Sequence, residues 1–242
     1  MNLPKIATPR FELVVPSTGK TVSYRPYLTK EEKVLMMARE SGKEAEIAKA
    51  VKQLISDCVD DLGNIDDITS FDFEYIFIKL RAVSVGESAN PTLKCSAMTP
   101  PVDGETPCNA KIAISVDFAS LEPTTHEDHT NKIVLSDGIG VVMKYPTLGM
   151  MTAKTTNKTD TETVFDTVVD CIDYVFDDDK IYNGAERSEI VEFVDSLGST
   201  MLQQIQQKFF EAMPSVEVTQ TATCSECGKE HTVVLKGLSD FF

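Results

Sequence analysis

The first apolar positions fall in two short β-rich runs, "FELVV" and "TVSYRPY", on either side of Pro16, Ser17, Thr18 and Gly19. That pattern predicts a β-hairpin. The spacing then lengthens. In "LTKEEKVLMMARE", Thr29 and Glu32 have the Ser/Thr-x-x-Glu spacing of a capping box, so a helix is expected to begin there, with Gly42 as an interruption. Ile47, Val51, Leu54, Ile55 and Cys58 recur on one helical face. A polar break runs from Asp60 to Asp67, after which Thr69 and Asp72 give a second capping signal. Phe73, Ile76, Phe77 and Leu80 form the stripe of the helix that follows, and Tyr75 and Ile78 lie off it. A helix apolar all round is expected to be buried on more than one side.

After "SVGESANPTLKC" the pattern turns to strands. Ile112, Ile114, Val116 and Phe118 alternate as one side of a half-buried strand. "EPTTHEDHTN" reads as a loop, and "KIVLSDGIGVVMKYP" as a second hairpin turning at Asp137-Gly138. The threonine-rich "TLGMMTAKTTNKTDTET" reads as a mobile connection. Three helices are expected next. The first is striped by Val164, Val168, Cys171, Ile172, Val175 and Phe176. The second runs from about Glu186 to Leu197 and ends at Gly198. The third starts near Ser199 with Thr200 and Gln203 as a capping box, carries Ile205, Phe209 and Met213 on its apolar side, and ends before Pro214. Two strands around a Cys-x-x-Cys close the chain.

Composition narrows the class. The 242 residues are 42% hydrophobic and 25% charged, which is globular, and no apolar run approaches a membrane span. The N-terminus "MNLPKIATPRFELVV" lacks the charged and apolar regions of a secretory signal, so the protein is expected to be kept in the cytosol. A formal charge of −15 with scattered Lys and Arg repels phosphate backbones, so no nucleic-acid partner is expected. The acidic run Asp177 to Lys180 reads as a solvated helix end.

There are 6 cysteines, and in a cytosolic chain thiols or metal ligands are favoured over disulfides. Cys58 and Cys171 lie on apolar helical stripes and read as core. Cys95 and Cys108 sit at the two mouths of a hairpin whose enlarged tip, Ser96 to Pro107, has no helical or strand pattern. Cys224 and Cys227 sit at the tip of the last hairpin. Two hairpins with two thiolates each can build the tetrahedral Cys₄ site of a zinc ribbon. In such a knuckle backbone amides face the sulfurs, and the residue after the second Cys needs positive φ. Gly228 supplies that after Cys227, and Asn109 can supply it after Cys108. The metal ligands expected are therefore Cys95, Cys108, Cys224 and Cys227, binding structural zinc, with His231 as a fallback fourth ligand if the long loop displaces Cys95. The competing reading is a degenerate ribbon held by packing alone. His126 and His129 have metal-compatible spacing, but no obvious further ligands accompany them, and a solvated loop is the favoured reading.

No Gly-rich phosphate loop, His-Glu-x-x-His or Gly-x-Ser-x-Gly is present, and the chain has 3 His and no Trp. Gly86 in "SVGES" reads as a bend after a helix. An enzyme is not expected, nor a small-molecule substrate.

The ordered motifs "RPYLTKEEKVLMMARES", "FDFEYIFIKLRAVSVGE", the Cys hairpin, "KYPT" and the Cys-x-x-Cys ending in "LSDFF" cover almost the whole chain. In this order they resemble the baseplate hub protein family of T-even-type contractile-tailed bacteriophages. The resemblance implies a role in building the baseplate hub, as a hub subunit or as an assembly chaperone. It implies phage hub and tail proteins as partners, in the host cytoplasm or in the virion. It transfers no catalytic or binding residues, and the enlarged Cys95–Cys108 loop departs from a tighter knuckle.

The fold expected is α+β, with helices around small antiparallel sheets and a zinc-ribbon-like β-module. Its divisions are 1–87 (N-terminal hairpin and helices), 88–120 plus 214–242 (the β-module) and 121–213 (hairpin and helical segment). The function expected is non-catalytic protein–protein interaction in baseplate hub assembly or structure. A zinc-ribbon nucleic-acid adaptor is the alternative. Phe241 and Phe242 either fold back on the protein's own helices or anchor a partner; the reading adopted is that they contribute to a partner-facing patch while Leu238 packs at home, since aromatic anchors supply much of the energy of interfaces.

Overall fold

A computed structural model describes residues 6–89, 92–99, 106–153 and 160–238. The fold is α+β. The chain forms two compact units. One comprises Met1–Leu62, Glu74–Pro123 and Val216–Phe242, and the other Gly63–Phe73 and Thr124–Ser215.

In the first unit, β1 (Phe11–Val14) and β2 (Thr21–Tyr24) form the expected antiparallel hairpin, with Leu13 opposite Val22. Leu13, Val22 and Tyr24 are buried on its inner face. Helix α1 (Thr29–Ser41) begins one residue away from the expected capping register. Leu28 is the N-cap, and the Glu31 carboxylate, not Glu32, accepts from the Leu28 amide at 2.8 Å. Burial decides this, since Glu31 is buried and also accepts from Arg25 at 3.1 Å. Gly42 ends α1 in the left-handed conformation (φ 67°), and α2 (Glu44–Cys58) follows. All five residues of the expected α2 face are buried. The chain then adds β3 (Val59–Asp60) to the free edge of β2.

Helix α3 (Ser70–Val85) starts where the Thr69–Asp72 signal puts it, the Thr69 hydroxyl accepting from the Asp72 amide at 3.2 Å. Tyr75 and Ile78 are buried along with the stripe, so the helix is covered on more than one side. Lys79 is also buried, and its ammonium donates to the Ala119 carbonyl (2.7 Å) and Glu122 (2.9 Å). A buried ammonium is tolerated because it is paired in this way.

Beyond α3 the strands are short: β4 (Ser88–Ala89), β5 (Thr92–Lys94), β6 (Met98–Thr99), β7 (Thr106–Pro107), β8 (Lys111–Ala113) and β9 (Val116–Asp117). They pair as β4–β9, β5–β8 and β6–β7, all antiparallel. The alternating run after Lys111 is thus two strands, and Ile112, Ile114, Val116 and Phe118 are nonetheless all buried. The Ser96–Pro107 tip, expected to be patternless, carries the β6–β7 pair at its base.

In the second unit, β10 (Lys132–Ser136) and β11 (Ile139–Met143) form the hairpin, with Asp137 and Gly138 at positive φ (43° and 80°). The threonine-rich segment begins as a helix, α4 (Leu148–Ala153), and residues 154–159 lie outside those described. Helix α5 (Asp160–Cys171) stops short of its expected end. Ile172–Phe176 is instead strand β12, paired with β11, and β13 (Ile181–Asn183) completes a sheet of order β10-β11-β12-β13. The helical stripe misled because Ile172, Val175 and Phe176 suit a pleated surface as well as a helix face. The acidic run at Asp177 is therefore a turn between strands. The Asp177 carboxylate accepts from the Asp179 and Lys180 amides (2.9 and 2.7 Å) and the Tyr182 hydroxyl (2.7 Å).

Helices α6 (Arg187–Asp195) and α7 (Ser199–Ile205) follow, and α7 runs into a π-helical turn, Gln206–Phe210. The α7 N-cap is Gly198, with no side-chain cap, so the expected Thr200–Gln203 box does not form. Ile133, Val141 and Ile172 from the sheet pack with Val168, Val169, Cys171, Val194, Ile205 and Phe209 from the helices. His129, expected in a solvated loop, stacks on Tyr145 and bonds its hydroxyl at 2.8 Å. The last hairpin, β14 (Glu217–Thr223) and β15 (Glu230–Lys236), belongs to the first unit. Phe241 and Phe242 lie outside the described residues.

Candidate metal centre

Two hairpins of the first unit meet at their cysteines. On one, the β5–β8 ladder continues past Lys94 opposite Lys111. The Cys95 amide donates to the Ala110 carbonyl (2.8 Å) and the Cys108 amide to the Ala97 carbonyl (2.9 Å). These bonds hold Cys95 and Cys108 across from each other. On the other, the β14–β15 register ends at Thr223 opposite Glu230. The Cys224 amide donates to the Lys229 carbonyl and the Gly228 amide to the Cys224 carbonyl, both at 2.9 Å. The turn closes only with positive φ after the second thiol of each pair. Gly228 (73°) and Asn109 (53°) both have it.

The four sulfur atoms of Cys95, Cys108, Cys224 and Cys227 lie within 4.8 Å of one another. Cys95 Sγ is 3.6 Å from Cys227 Sγ, and Cys108 Sγ is 3.8 Å from Cys224 Sγ. A tetrahedral zinc with Zn–S bonds of about 2.3 Å requires sulfurs about 3.8 Å apart. The donor set and its spacing therefore fit zinc. Cys95 and Cys224 are almost fully buried, and with Ala97 and Ile112 they make a small apolar cluster of their own.

Backbone amides point at the sulfurs, as a metal knuckle demands. Those of Cys227 and Glu226 reach Cys224, and with the first as the larger influence they draw its thiol down to about 7. The Ala97 amide reaches Cys95 and the Ala110 amide reaches Cys108. Burial and the neighbouring sulfurs nevertheless push Cys95 up to about 12, and Cys108 is also raised. Four thiolates cannot all ionise in so small a space without a cation to share, and a bound cation inverts that balance.

His231 stands on β15 opposite Ala222, and its Nε2 is 3.1 Å from Cys95 Sγ. The enlarged loop does not displace Cys95 from the cluster. Cys58 and Cys171 are buried, as expected of core cysteines. His126 is exposed, in contact with Asp128 at 3.6 Å. Among the described residues the sulfur quartet is the cluster with metal-binding geometry, and no helix is long and apolar enough to cross a membrane.

The profile of the family described as "T4 bacteriophage base plate protein" matches residues 8–242. The chain is 24% identical over 227 residues to the baseplate hub assembly protein gp26 of Enterobacteria phage T4, a match that covers 93% of each chain. No solved structure matches.

Proposed function

This chain belongs to the T4 bacteriophage base plate protein family, and from that membership we propose that it acts, without catalysing a reaction, in assembling the hub of a phage tail baseplate. The observation that carries the proposal is the match to a hub assembly protein over 93% of both chains. Agreement over 93% of both chains favours a shared role over a borrowed module. The partners are other baseplate hub and tail proteins, met in the host cytoplasm.

The metal centre has a structural part in this reading. Zinc held by Cys95, Cys108, Cys224 and Cys227 has no open coordination position for water or substrate. Its chemistry is to crosslink. Cys108 and Cys224 are 116 residues apart in sequence, so the clamp closes a long loop, where the gain in chain entropy is large in principle. The zinc-held module then presents the end of the chain, and Phe241 and Phe242 serve as partner-facing anchors.

The test is affinity capture of a tagged chain from phage-infected cells, with mass spectrometry of the co-purified proteins. Baseplate hub proteins should be enriched. Deleting Phe241 and Phe242 should reduce that enrichment while thermal stability stays nearly unchanged. Capture that recovers no baseplate protein would contradict the assembly role. A deletion that unfolds the chain would place the two rings in its core instead. Proteomics of purified virions then separates a protein that leaves after assembly from one retained in the tail.

A further inference from the structure

The Cys95 sulfur has two polar neighbours of different kinds: the Ala97 amide from its own hairpin and the His231 imidazole from the other. We propose that His231 is a positioning residue of the metal centre, donating its Nε2–H to the Cys95 sulfur and holding that ligand from outside the coordination sphere. The inference rests on the zinc reading above. Four thiolates around a divalent cation leave a net charge of −2, and here that charge sits among buried alanine, isoleucine and cysteine side chains. Buried charge needs hydrogen-bond donors aimed at it. Cys224 has two backbone amides, from Cys227 and Glu226. Cys95 is as deeply buried, with the Ala97 amide as its backbone donor.

The geometry favours a donor over a ligand. The four sulfurs already lie within 4.8 Å of one another, and two of their separations, 3.6 and 3.8 Å, are those of ligands around one tetrahedral zinc. A thiolate can only accept a hydrogen bond, so at 3.1 Å the Nε2 atom must carry the hydrogen. The ring is also placed by the strand rather than by a loop. His231 shares the inward side of β15 with Val233 and buried Leu235, across from Ala222. A side chain so fixed supports its ligand from one direction, and the contact joins the two hairpins a second time without using the metal.

The experiment compares the full-length protein with His231→Leu, which removes the donor, and His231→Gln, which keeps a side-chain N–H. Zinc content, the rate of zinc transfer to a chromogenic chelator and the absorption of the cobalt-substituted protein are measured, with circular dichroism to check folding. All three proteins should bind about one equivalent of metal, with a four-thiolate cobalt spectrum. His231→Leu should lose zinc affinity by roughly 10–100-fold, the range typical of outer-shell partners, and His231→Gln should recover part of it. Equal transfer rates in wild type and His231→Leu overturn the proposal while leaving the zinc site standing. A cobalt spectrum in wild type that shows imidazole and fewer thiolates makes His231 a ligand and also overturns it. Wild-type protein that takes up no metal removes the zinc reading itself, and this proposal with it.

Discussion

At the scale of single residues, the chemistry of the site constrains the backbone. A thiol pair at a hairpin tip needs a residue at positive φ behind it, and Gly228 and Asn109 advertise that need in the sequence. Glu74 was not legible. It lies on α3 in a helix read as apolar, and only the packing shows that burial, opposed by Lys236, pushes its carboxyl up to about 7 from an ordinary value of 4.5. A carboxyl raised in this way holds its proton more tightly folded than unfolded. Its contribution favours the fold below about pH 4.5 and is lost as pH rises through about 7. Glu74→Gln should therefore stabilise the protein at pH 8 by about 2–3 kcal/mol and change little at pH 4. Urea titrations at the two pH values check this. An equal shift at both would mean that the carboxyl does not titrate as its surroundings dictate.

At the scale of elements, hairpins and caps were readable where one strong signal stood alone. The Asp137-Gly138 turn and the Thr69 cap both form as their residues require. The errors fall where two signals compete. Ile172, Val175 and Phe176 fit a helical stripe, but the edge of β11 offers them a ladder of hydrogen bonds that sequence periodicity cannot see. One consequence of that sheet is the glycine it demands. Gly140 lies opposite Val134 and Phe176, and the Phe176 ring folds over it. A Cβ there would overlap the ring and the Ile133 carbonyl oxygen, which the β10–β11 pairing holds in place. Gly140→Ala should cost about 1–3 kcal/mol as an overpacking change. Gly198→Ala, with open space around it, should cost only the poorer N-cap preference of alanine at the start of α7, about 0.5–1 kcal/mol. Comparable urea midpoints for the two variants would show that the sheet yields more easily than this packing implies.

At the scale of the whole molecule, the α+β class follows from the alternation of helical and strand periods. The pairing of residues near 95–108 with residues near 224–227 was legible only through chemistry. No hydrophobic pattern links those segments, and where their cysteines meet, Cys95, Ala97, Ile112 and Cys224 make only a small buried cluster. So small a cluster is a weak fastening between strands more than a hundred residues apart in sequence, and this is the physical reason to expect a metal there. The measurement that tests this most directly is the zinc content and thermal stability of the tag-free protein, alongside Cys224→Ser and Cys58→Ser. About one zinc per chain is predicted for wild type and for Cys58→Ser, and Cys224→Ser should lose both metal and stability. Fully stable native protein without metal, indifferent to Cys224→Ser, would contradict the account.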